Sequence, residues 1–197
     1  MASLLNLQKG QMLNLTKENP GLSEINFAGG WDVKRKGLFK KLFATDYDLD
    51  LVAYLRDSGG RVYKTVYFGS KSANGVRLNH DNLTGEGDGD DETIFLDLNN
   101  VDARCESIVF AIVIYGASMR NQTFNGVENA FVRIYNPLEH NKELCRFNLS
   151  NDGGYNTSSI VGSLRNKDGD WEFTAIGDYI NKASIEDVKN YVNERIY

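Results

Sequence analysis

Asp48-Leu49-Asp50-Leu51-Val52-Ala53-Tyr54-Leu55 reads first as a strand. Leu49, Leu51, Ala53 and Leu55 recur every second residue, which places them on one face of an extended chain. The same period recurs outward from this stretch. RVYKTVYF (61–68), TIFLDL (93–98), AFVRIY (130–135), ELCRFNL (143–149), SSIVGSLR (158–165) and WEFTAIG (171–177) are short and rich in β-branched and aromatic residues. Turn-forming clusters such as Asp57-Ser58-Gly59-Gly60 and Asn151-Asp152-Gly153-Gly154 separate them. IVFAIVIY (108–115) is apolar almost throughout, which predicts a central strand buried on both faces. Many short strands between turns predict a mainly β fold, a β-sandwich of two antiparallel sheets.

One segment departs from that pattern. SIEDVKNYVNERIY predicts a helix over about 184–196, with Ser184 as N-cap and Asp187 three residues on. Ile185, Val188, Val192 and Ile196 form its apolar stripe, which is expected to dock on the sandwich; a partner-binding helix is the alternative. No internal repeat or Pro/Ser-rich linker divides the chain, so residues 1–197 are read as one domain.

The net charge is −5, and the stretch from His80 to Glu92 alone carries −6. The acidity is therefore local, and nucleic-acid binding is not expected. Cys105 and Cys145 sit in apolar strand-like runs without a CxxC, so both are read as reduced, buried thiols. The N-terminal residues lack a signal-peptide pattern, and no apolar run reaches the roughly 20 residues that span a bilayer. A cytoplasmic protein without a transmembrane segment is expected.

HDNLTGEGDGDDE (80–92) holds Asp81, Glu86, Asp88, Asp90, Asp91 and Glu92 and no Lys or Arg. Two carboxylates 5 Å apart at an effective dielectric of 20 repel by roughly 3 kcal/mol. Such a loop must be neutralised or held open as a solvated acidic turn. Calcium neutralises this donor set well, because it accepts six to eight oxygens from carboxylates, amides and backbone carbonyls. Asn82 and Thr84 add neutral oxygens, and Gly85, Gly87 and Gly89 let the backbone fold tightly and turn carbonyls inward. Asp48 and Asp50, two apart on the strand, project to one side and can complete the shell; Asp32 and Asp46 are weaker candidates. The spacing fits neither an EF-hand nor a phosphate-binding glycine loop.

With these residues in view, the chain resembles the TerD family of tellurium-resistance and general-stress proteins. The resemblance rests on LQKGQMLNLTK (7–17), GGWD (29–32), DYDLDLVAYL (46–55), VYF (66–68), DNLTGEGDGDDE (81–92), SIVFAIVIYGA (107–117), TFNGVENAFVRIYN (123–136), ELCRFNL (143–149) and GDWEFTAIG (169–177), in order along nearly the whole chain. It implies an opening strand pair in 7–17 and a β-sandwich that binds calcium through Asp48, Asp50, Asp81, Asn82, Asp88, Asp90, Asp91 and Glu92. Thr84 and Gly87 complete the expected ligand set, and two calcium ions are expected, since eight acids around one ion would leave charge uncompensated. His80 departs from the family's usual Gly, and Leu51-Val52 from its usual small residues.

Three functions follow as expectations. The first is a calcium-dependent binding or scaffold module that serves other proteins of a stress-response system. The second is calcium-dependent recruitment to the inner membrane surface, aided by the basic, Leu/Phe-interleaved segment 34–43, whose plainer reading is a solvated basic element. The third and weakest is a metal-dependent hydrolase: ligated carboxylates make poor general acids, and neither histidine has a nucleophile beside it. The chain is therefore read as no enzyme.

Overall fold

A computed structural model describes residues 5–33, 47–80, 89–149, 152–195 and 197. Along the chain run β1 (Asn6–Leu7), β2 (Met12–Asn14), α1 (Leu15–Glu18), β3 (Glu24–Val33), β4 (Leu49–Arg56), β5 (Val62–Val66), β6 (Ser72–Ala73), β7 (Val76–His80) and β8 (Glu92–Asp97). Then come β9 (Ser107–Ile114), α2 (Ala117–Arg120), β10 (Val127–Asn136), β11 (Lys142–Asn148), β12 (Ser158–Lys167), β13 (Asp170–Ile180) and α3 (Ile185–Asn193). A single 3-10 turn, Phe124–Gly126, precedes β10.

Two sheets face each other. One has the order β1-β11-β10-β3-β8-β7-β6, the other β2-β13-β12-β9-β4-β5. The pairings are antiparallel except that of β1 with β11. The mainly β sandwich read from the alternation is therefore what forms. β9 lies between β12 and β4 with all eight residues buried, as its unbroken apolar run predicts.

Alternation also assigns the faces. Leu49, Leu51, Ala53 and Leu55 of β4 pack between the sheets, where Phe27 of β3 stacks on Phe110 of β9 with ring centroids 3.9 Å apart. Val52 and Tyr54 point the other way and join Val109, Val188 and Val192 in a second cluster beneath α3. The helix starts as predicted: Ser184 Oγ accepts from the Asp187 N–H at 3.1 Å. Tyr54 pins it further by donating its hydroxyl to the Ile185 carbonyl at 2.9 Å. Ile196 lies outside the described residues.

Three features differ from the sequence expectation. Of the longer strands, β3 and β7 are absent from those read there, because Gly29-Gly30 interrupts the side-chain alternation of β3 and β7 offers only Val76 and Leu78 to it. The opening strands do not pair with each other. β1 joins β11 in one sheet and β2 joins β13 in the other, so this segment bridges the sandwich.

Candidate metal centre

The stem of the acidic loop is built from β3, β4 and β8. Glu92 opens β8 opposite Gly29 of β3, on the face that packs between the sheets with Ile94 and Leu96. From there its carboxylate crosses to the other sheet and accepts the Leu51 N–H of β4 through Oε2 at 2.6 Å. The donor is available because β5 pairs with β4 only from Ala53 onward, so the first residues of β4 have no β5 neighbour. Glu92 is 1% exposed, and Asp50, adjacent in sequence to that donor, is 3% exposed.

Asp91 is fixed one residue earlier. Its Oδ2 accepts the Trp31 N–H at 2.9 Å, while its own N–H donates to the Gly29 carbonyl at 2.9 Å. Trp31 is buried in the core at the end of β3, which fixes the Asp91 carboxylate against a rigid part of the sandwich. Gly30 makes the approach possible: a methyl there would lie 2.5 Å from the Gly89 carbonyl and 2.6 Å from the Phe131 ring. Asp48 lies just before β4, half-buried, and its carbonyl accepts from the Tyr115 N–H at 2.7 Å.

Asp90 points elsewhere. Both of its carboxylate oxygens accept from Arg133 of β10, at 2.7 Å each, in a bidentate pair. Arg133 also donates to Glu143, which accepts two bonds from Arg146. Arg133 lies over the Tyr135 ring and Arg146 over Phe131, so the ladder is held flat on the sheet's outer face. Hydrogen bonding to Asp90 raises the Arg133 guanidinium well above the usual arginine range. Sequence reading missed this arginine, because nothing local links positions 43 apart.

Asp81, Asn82, Thr84, Gly87 and Asp88, together with Asp46, the basic segment 34–43 and the His80 side chain, lie outside what is described. Among the described residues no group of three or more His, Cys, Asp or Glu side chains is placed to hold a metal ion. What the described stem offers is oxygen: buried Glu92 at the Leu51 N–H, and buried Asp50, which alternation places on the other face of β4 beside Val52 and Tyr54, with Asp48 two residues before it. Buried carboxylates are stable only with hydrogen bonds or positive charge, and an all-oxygen donor set suits a hard cation, so these residues fit calcium. Asp32, the weaker candidate, accepts from the Asn129 amide at 2.8 Å instead.

Both thiols are buried, and burial pushes Cys105 up to about 11 and Cys145 up to about 12. They are protonated at neutral pH and poor nucleophiles. No described helix is long and apolar enough to cross a membrane.

The profile of the TerD domain matches residues 3–191. The chain is 40% identical to tellurium resistance protein TerZ of Serratia marcescens, over 94% of this chain and 95% of that one. It is 39% identical to general stress protein 16U of Bacillus subtilis, over 88% and 89%. A crystal structure of a TerD homologue from Streptomyces coelicolor superposes with a TM-score of 0.67 at 19% identity, covering 84% of this chain and 95% of that one, a likeness of fold.

Proposed function

The chain belongs to the TerD family, and on that premise we propose that it is a calcium-binding module of a tellurium-resistance and general stress response, a binding or scaffold protein and not a catalyst. The names of its relatives support the stress and tellurium-resistance role. The observation that carries the metal reading is the crossing of Glu92 to the Leu51 N–H, which joins the end of the acidic loop to the Asp-Leu-Asp strand. Asp48, Asp50 and Glu92, completed by Asp81, Asn82, Thr84, Gly87 and Asp88, would hold calcium, with two ions the expected number. The bound cation would neutralise the gathered carboxylates, and the calcium-loaded protein would present a surface to protein partners of the same response. Asp91 orients the stem through Trp31, and Asp90 anchors it to Arg133.

Binding is favoured over catalysis because carboxylates that ligate a cation stay ionised, and because both thiols are buried and protonated. Recruitment to a membrane surface through segment 34–43 has no described residue to support it. The test is calorimetric titration of chelator-treated protein with calcium, magnesium and manganese. Calcium binding that is lost in D50N and E92Q supports the proposal; calcium silence in the wild type, or affinity unchanged in both variants, overturns it.

A further inference from the structure

At the end of β4 away from Asp50, about 20 Å along the strand, lies a cavity of about 290 Å³. Arg56, the last residue of β4, lines it and is only 4% exposed. Its Nε donates to the Gly60 carbonyl at 2.8 Å and its Nη2 to the Arg195 carbonyl at 2.6 Å. None of the described carboxylates forms an ion pair with it. The acids around the cavity have partners of their own. Asp57 accepts from the Gly59 and Arg61 N–H groups and pairs with Arg104; Glu106 pairs with Arg165 at 3.4 Å; Glu194 lies 3.9 Å from Arg195. Arg165 also lines the cavity.

The guanidinium lies over the Tyr197 ring, 5.8 Å from its centroid, and feels Asp57 at a distance, but its hydrogen bonds go to neutral carbonyls and no described carboxylate pairs with it, an arrangement that leaves room for a bound anion. The site is shaped around it. Gly60 has φ +76°, and a methyl there would come within 2.9 Å of Arg56 Nη2. Burial, together with the positive charge of Arg165, lowers the Arg56 guanidinium from its usual value against attraction from Tyr197 and Asp57, yet an arginine remains charged at neutral pH.

We propose that this cavity is a subsite for a small oxyanion, held by Arg56, with Arg165 exchanging its exposed 3.4 Å contact with Glu106 for the anion as the second arm. A planar guanidinium matches two oxygens of a tetrahedral or pyramidal oxyanion, so inorganic phosphate and tellurite share the chemistry required. The subsite is separate from the calcium reading and stands or falls without it.

The test uses metal-free full-length protein, titrated separately with sodium phosphate and sodium tellurite, against sodium chloride at equal ionic strength. Melting temperature and backbone amide shifts are read together. The expected result is saturable binding with shifts centred on Ser58–Gly60, Ser107 and Arg195, weakened about tenfold in R165Q. The tighter of the two oxyanions identifies the source. R56K should weaken binding further; should that variant not fold, R165Q, whose native side chain is 52% exposed, decides alone. Shifts reproduced by chloride, or binding unchanged in R165Q, overturn the proposal.

Discussion

Glu92 meets two demands at once: it is a buried acid, and it closes the hydrogen bonding of a strand in the opposite sheet. The two roles separate by substitution. In metal-free protein E92Q keeps an oxygen for the Leu51 N–H, so its folding free energy should lie within about 1 kcal/mol of wild type. E92L strands that N–H and should cost about 1–3 kcal/mol, read by urea denaturation. Glu143 offers a second test at this scale. Burial would raise its carboxyl, but the hydrogen bonds from Arg146 and Arg133 outweigh burial and hold it below the ordinary 4.5. A carboxyl depressed in the folded state contributes stability above its unfolded value and loses it as pH falls through the folded one. Wild type should therefore weaken below about pH 4.5 more steeply than E143Q, measured by melts from pH 7 to 3. The acids themselves were plain in the sequence. Their partners were not, since Arg133 and the Leu51 N–H reach them only through sheet pairing.

Strands with clean alternation were legible at the scale of the element, and so was α3 with its Ser184 cap. β3 was not, because its Gly29-Gly30 pair removes two side chains from the pattern just where close approach is needed. That absence is itself functional: Gly30 lets the Gly89 carbonyl pass beside β3. G30A should push Gly89 and the loop stem outward, costing about 1–3 kcal/mol of stability. It should also weaken calcium binding about tenfold by calorimetry, if the stem sets the loop's geometry. α3 makes a contrasting case. Val188 and Val192 seal the second cluster over Val52 and Tyr54, on the face of β4 opposite the inter-sheet face that carries Glu92. V188A should cost about 1–3 kcal/mol in denaturant while leaving calcium affinity within twofold of wild type, roughly the precision of such a comparison.

Across the whole molecule β4 runs from one end of the sandwich to the other, with Asp50 near its start and Arg56 at its close. Charge is thus handled at both ends of a strand whose middle is wholly apolar on its inner face. The two sheets meet at the loop end through Glu92 and at the N-terminal segment through β1 and β2, so a cation at the loop end would tie together sheets that otherwise adhere by apolar packing. Its effect should accordingly appear in global unfolding and not only in the loop. A ligand present at about 1,000 times its dissociation constant stabilises the folded state by roughly 4 kcal/mol. For a chain of this length each kcal/mol moves the melting temperature by about 2–4 °C, so one ion predicts a rise of about 8–16 °C and two independent ions about twice that. Stoichiometry from calorimetry and the size of the melting shift must therefore agree, and chelation must reverse both. A shift confined to local loop signals, with the global melt unmoved, would show that the acidic loop does not couple the sheets.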